Sequence, residues 1–297
     1  MLKRIGDVTL PAHGSGGFDH ADVHLASGRV FVAHTANGTV EVIDGENLRH
    51  EKTVEGCPEA SGILCAQKEG LVFAAARGAG KILTVNAKSL DLVRESQAGT
   101  KPNGLAWDSK RKRLLVADVF DENARLLDPS DGQVLLTKKL DGRPRWCVYD
   151  MADDRFLINV KEPATVEVLK ADTFALLSSF PVKTAGPHGL AIDEVGRAYV
   201  ACDGKALVIL DMTRRSEQTA IPIAGPPDVV WYNMRRQAIY CAAGDPGIVE
   251  VIDIRAGGVV ERLETEEGAH TFAFDQVRQR LYTFLPKTCR ARVYEEV

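Results

Sequence analysis

PNGLAWDSKRKRLLVAD, residues 102–118, reads as a short apolar strand, a polar turn and a second apolar strand. The same pattern returns as PHGLAIDEVGRAYVAC from Pro187 and AHTFAFDQVRQRLYTF from Ala269. Looser copies are DHADVHLASGRVFVAH from Asp19, ASGILCAQKEGLVFAA from Ala60, PRWCVYDMADDRFLIN from Pro144 and PDVVWYNMRRQAIYCA from Pro227. The second residue of each copy marks its position: His20, Ser61, Asn103, Arg145, His188, Asp228 and His270, at spacings of 41, 42, 42, 43, 40 and 42 residues. A period of this length, sustained along the whole chain, is the signature of a repeat architecture.

Each unit continues with an alternating strand, such as GTVEVID (38–44) or IVEVIDI (248–254), and closes with a polar-edged strand such as LVRESQA (92–98). Four short strands with turn residues between them make one propeller blade. The expectation is an all-β, seven-bladed β-propeller, one domain over residues 1–297. The last unit contains only three strands of its own. LKRIGDVTL (2–10) has no blade, so it is expected to supply the missing outer strand and remove an open sheet edge.

Composition narrows the functional classes. Hydrophobic residues make up 45% of the 297, enough for a large core, and the formal net charge is −4. That charge argues against a nucleic-acid surface. The N-terminus has no secretory pattern and no stretch is long and apolar enough for a transmembrane helix, so a cytoplasmic protein is expected. The six cysteines form no CxxC pair and read as buried, reduced thiols. No Walker A loop, GxGxxG, GxSxG, HExxH or CxxCH motif occurs, which argues against NTP hydrolysis, Rossmann cofactors, serine-hydrolase chemistry and c-type haem.

The marker residues should ring one mouth of the central channel. A purely structural ring would carry turn-capping Asn, Ser, Asp and Gly. Here three of the chain's seven histidines occupy it. His20, His188 and His270 suit a divalent ion, with zinc or another first-row transition metal favoured and calcium as an alternative. Such an ion would acidify water and polarise a carbonyl. Asp228 and Glu59 are the candidate acid/base groups, and Arg145 the candidate for holding a small anionic substrate. Asn103, Ser61 and His34 are candidates for substrate contact or for an outer shell around the ligands. Asp22 and His24 share the strand face of His20 and read as a buried Asp–His hydrogen bond. Trp107 reads as core, Trp146 and Trp231 as narrowing the channel, and His13, beside GSGG, as mobile.

VFVAHTANGTVEVIDG (30–45), AYVACDGKALVILD (198–211) and IYCAAGDPGIVEVID (239–253) resemble the YVTN-type propeller repeat, with VAHT, VACD and CAAG in place of the tetrapeptide. That resemblance implies fold rather than chemistry. PNGLAWD and PHGLAID also resemble strings of the gluconolactonase/senescence-marker family, which implies a divalent metal at the channel mouth. Asn103 matches that pattern, whereas His188 stands where a carboxylate is expected. The three-histidine set with an arginine nearby resembles the constellation of the peptidylglycine amidating lyase domain. The expected function is therefore a metal-dependent hydrolase or lyase acting on a small ester- or lactone-like substrate. The alternative is a non-catalytic scaffold binding a protein, peptide or small ligand. Neither oligomeric state nor metal identity follows from the sequence.

Overall fold

The computed structural model describes residues 1–297. Seven four-stranded antiparallel sheets form the blades of a β-propeller. Blades one to six span residues 21–54, 60–97, 102–139, 144–181, 187–222 and 227–264. Blade seven combines Phe272–Asp275, Arg280–Leu285 and Arg290–Glu296 with the N-terminal strand Leu2–Thr9. The N-terminal strand pairs with the C-terminal one from Leu2↔Glu296 to Thr9↔Arg290, so the two ends of the chain close the ring. No helix is long and apolar enough to cross a membrane.

Local chemistry explains the repeated hairpin. Asp108, Asp150, Asp193, Asn233 and Asp275 end inner strands, and their side-chain oxygens accept amide hydrogens of the turn that follows. Asx side chains favour turns by this bonding. Each of these turns also needs one left-handed residue. Gly196 supplies it at no steric cost, as Gly28 and Gly70 do in the matching turns of blades one and two, whereas Lys112, Asp154, Gln237 and Gln279 adopt the same positive φ.

The core lies between blades. At the third residue of each second strand stand Phe31, Phe73, Leu115, Leu157, Tyr199, Tyr240 and Tyr282, all fully buried. Burying a side chain of this size contributes about 1.5–3 kcal/mol. The inner strands approach one another so closely that a Cβ on Gly62 would collide with the Asn103 carbonyl, and one on Gly104 with the Arg145 carbonyl. Those glycines, the third letters of ASGIL and PNGLA, let neighbouring blades meet backbone to backbone.

The inner strands of blades two to six include their marker residues, as Pro102–Asp108 includes Asn103. Their pairing also slips at the start, between Ala60 and Ile63, Pro102 and Gly104, Pro144 and Cys147, Pro187 and Gly189, and Pro227 and Val230. These bulges fall on the marker residues of blades two to six. A bulge turns its side chain out of the ladder and re-aims it. His20 and His270 lie just before their inner strands. Inside the ring lies a cavity of about 410 Å³, lined by the inner strands of all seven blades. All six cysteines are free, and five are buried.

Candidate functional site at the channel mouth

Asp228 is the centre of the mouth. Its Oδ1 lies 2.7 Å from His188 Nε2 and its Oδ2 lies 3.5 Å from His270 Nε2. Burial opposes its charge, but the imidazoles of His188, His20 and His270 outweigh that and hold its carboxyl well below the usual range. The three marker histidines therefore do gather around one group, although they play different parts.

His188 is clamped between two carboxylates. Its Nδ1 lies 3.0 Å from Asp203 Oδ1, and Nε2 faces Asp228. Burial disfavours its charge, yet Asp228 and Asp203 prevail and raise its pKa to about 9. Asp203 is itself lowered to about 2 against burial by His188 and by Lys161, whose Nζ is 2.8 Å away. Both ring nitrogens of His188 thus donate to carboxylates, which leaves neither a lone pair to offer an ion. In this geometry His188 is a bridging imidazolium rather than the ligand its sequence position suggested.

His270 is arranged differently. Its Nδ1 donates to the Gly268 carbonyl at 2.8 Å, which makes Nε2 the nitrogen turned toward the mouth. A carbonyl fixing the far nitrogen is how ligating histidines are commonly oriented. Nε2 then faces Asp228 Oδ2 at 3.5 Å, and His20 Nε2 faces Asp19 Oδ1, also at 3.5 Å. Two ligand atoms sharing a tetrahedral ion at ordinary bond lengths stand about 3.4 Å apart. Donor atoms of Asp19, Asp228 and His270 all lie within 4.8 Å of one another. These three come from the approaches to blades one, six and seven. Asp19, His270 and Arg77 also line a mouth cavity of about 540 Å³ edged by the glycine-rich segment Gly14–Gly17.

Arg145 carries the free positive charge of the mouth. Its Nε is buried without a hydrogen-bond partner. Burial and Arg143 work against its charge, whereas Asp228, Asp203 and Asp19 support it. A guanidinium with an unused donor can donate a further hydrogen bond to an acceptor brought beside it.

The remaining candidates sit farther out. Glu59 is half-exposed and turned toward Lys101, 2.8 Å away, and Arg77, 3.6 Å away, rather than toward the histidines. Lys101 first, with Arg77, holds its carboxyl below the ordinary range. Ser61 is fully buried, its Oγ 3.2 Å from the Pro102 carbonyl of the next blade. Asn103 is buried and its Oδ1 accepts from Arg77 Nη1 at 3.4 Å. His34 is buried in a relay of its own, with Nδ1 3.0 Å from Glu41 and Nε2 2.7 Å from His13. That contact and a ring packed against Phe18 hold His13 in place, contrary to the mobility expected of it.

Asp22 and His24 do not bond each other. Asp22 accepts from the amides of Val23 and Cys65, each at 2.7 Å. His24 pairs with Arg29 across the hairpin, the register at which blades three, four, six and seven carry the turn-capping Asp or Asn, and bonds Ser27 Oγ at 2.8 Å. His20 stacks on Trp146 across the ring, blade one against blade four, with centroids 4.1 Å apart. Trp107 packs on Phe73 but also lines the channel with Trp146 and Trp231.

Sequence reasoning missed Asp19, Arg77 and Asp203. For Asp19 a signal was present. The residue before the marker is Ala60, Pro102, Pro144, Pro187, Pro227 or Ala269 elsewhere, and it is charged only in the first unit. Compared with known proteins, the chain matches no family model and no curated sequence, so its seven-bladed fold and the chemistry of its mouth are what describe it.

Proposed function

We propose that the mouth binds one divalent ion through Asp19, Asp228 and His270, and that the protein is a hydrolase or lyase for a small anionic substrate of ester or lactone type. The observation that carries this reading is the convergence of those three donors beside an unpaired Arg145. The donor set fits a borderline or hard divalent cation: two carboxylates and an imidazole whose far nitrogen is already bonded. Such an ion supplies Lewis acidity.

The chain's own residues would do the rest. Arg145 would hold the anionic end of the substrate with its unused donors. His188, protonated at neutral pH, keeps its Nε2 proton against Asp228 Oδ1 and so orients that carboxylate, leaving Oδ2 toward His270.

The test is a screen of small lactones and carboxylate-bearing esters with zinc, manganese or calcium added. Turnover should require the ion. Arg145→Gln should raise KM for anionic substrates far more than for their neutral amides, because it removes charge that binds the ground state. Equal loss on both would contradict the role of Arg145.

A second reading rests on a separate observation. The outer strands of blades two to four each expose two consecutive apolar residues, Leu92 and Val93, Leu135 and Leu136, and Leu176 and Leu177. Exposed apolar clusters of this kind mark protein contacts, and favour a scaffold. Sedimentation with and without Leu135→Lys/Leu136→Lys would report self-association through that rim.

A further inference from the structure

The channel below the mouth has a chemistry of its own. Opposite Phe31 in the pairing of blade one stands Asp22. The residues at the matching register in the other blades are Leu64, Ala106, Val148, Ala191, Trp231 and Ala273. All of these line the channel cavity, and Asp22 is the one carboxylate among the lining residues, which include no lysine or arginine. Its two oxygens each take one backbone amide, from Val23 and Cys65, which clasps blade one to blade two. The side chain remains partly open toward the cavity, and no cation stands beside it.

The same cavity is lined by all three tryptophans of the chain, Trp107, Trp146 and Trp231, with the indole nitrogens of Trp107 and Trp231 buried and unbonded. Phe272 and Phe274 complete an aromatic wall. A carboxylate in apolar surroundings that has amide donors but no cation keeps an unneutralised charge, which a cation would offset. Burial raises the Asp22 pKa to about 6, so the group is largely ionised at neutral pH and in want of a counter-charge. Aromatic rings around a single anionic group are the chemistry that selects organic ammonium ions. A volume of about 410 Å³ is in the range of small-molecule sites. The His20–Trp146 stack stands at the mouth end of this cavity, and Gln67, Gln276, Tyr149 and Tyr232 line its other end.

We infer that the channel is a second binding site, separate from the mouth, for a small organic ammonium ion with an apolar body, its charge set against Asp22 and its hydrocarbon against Trp107, Trp231 and Phe272. The site does not depend on the mouth's holding a metal.

The tryptophans make the test direct, because all three line this cavity and indole emission can be excited apart from that of the tyrosines; the Asp228→Asn variant controls for a signal relayed from the mouth through the His20–Trp146 stack. The full-length protein is titrated with hexyltrimethylammonium, hexanol and hexanoate. The expected result is a saturable emission change with the cation, at least tenfold weaker binding of hexanol, and none of hexanoate. Asp22→Asn should weaken the cation at least tenfold. Because that change also disturbs the blade clasp, Ala273→Lys is the second variant: it supplies an ammonium from the neighbouring blade, leaves the amide bonds of Asp22 intact, and should abolish binding. Asp228→Asn, at the mouth, should leave the titration unchanged. Equal binding of all three probes, no saturable change, or undiminished binding by a folded Ala273→Lys protein would overturn the inference.

Discussion

At the scale of single residues, the mouth is governed by which nitrogen of each histidine is already in use. His188 has both committed to carboxylates, His270 has one committed to a carbonyl, and His20 is stacked on Trp146. Chain spacing brought these residues to one ring, and that much was legible, together with Arg145 and Asp228. Their partners were not. Asp203 follows the end of a second strand and Arg77 starts a single 3-10 turn, positions whose direction no repeat pattern fixes. The His188 clamp has a pH consequence. A histidine whose pKa is raised in the folded state stabilises fully below its unfolded value, near 6.5, and that contribution is lost as pH rises through the folded value, about 9. The gain is on the order of 3 kcal/mol for a shift of this size. Thermal melts from pH 6 to 10 should show stability falling across that window, and His188→Gln should flatten the slope. An unchanged slope would remove the imidazolium from the account.

At the scale of elements, the ring depends on inner strands that touch through their backbones. The strands themselves were readable from alternation and turn residues, but the bulges were not, because a register slip exists only between paired strands. Gly104→Ala should test this contact. Its Cβ would meet the Arg145 carbonyl, which cannot swing aside as a side chain could. The expected cost is about 1–3 kcal/mol, measured by denaturant unfolding, with a disturbed mouth beside it. Gly258→Ala, where nothing lies within 4 Å, is the control and should be near neutral. Equal effects at both positions would contradict the close approach.

At the scale of the whole molecule, closure by the N-terminal strand is the feature the sequence conveyed most fully, because a three-stranded last unit and an unassigned first segment answer each other. Leu2 and Val8 are buried in that pairing. Deleting residues 1–9 should expose the Arg290–Glu296 edge, lower the melting temperature and produce self-association visible by light scattering. A monomer of unchanged stability would mean that the strand adds nothing to the ring. The propeller also divides its axis into two environments: a charged mouth, where Asp19, Asp228 and His270 meet within the field of Arg145, and an apolar channel holding one carboxylate. The sequence pointed to the first through its histidines. The second stayed hidden because the channel-facing register of Asp22 shows only once the strands are paired.

The most direct test is elemental analysis after loading with zinc or manganese and exhaustive dialysis, on the wild-type protein and on Asp228→Asn, His270→Ala and His188→Gln. About one ion per chain is predicted for the wild type, with loss in the first two variants and retention in His188→Gln, which removes a bridge but no ligand. A wild-type protein that holds no ion after loading, or an Asp228→Asn protein that holds a full complement, would contradict a metal centre at the mouth.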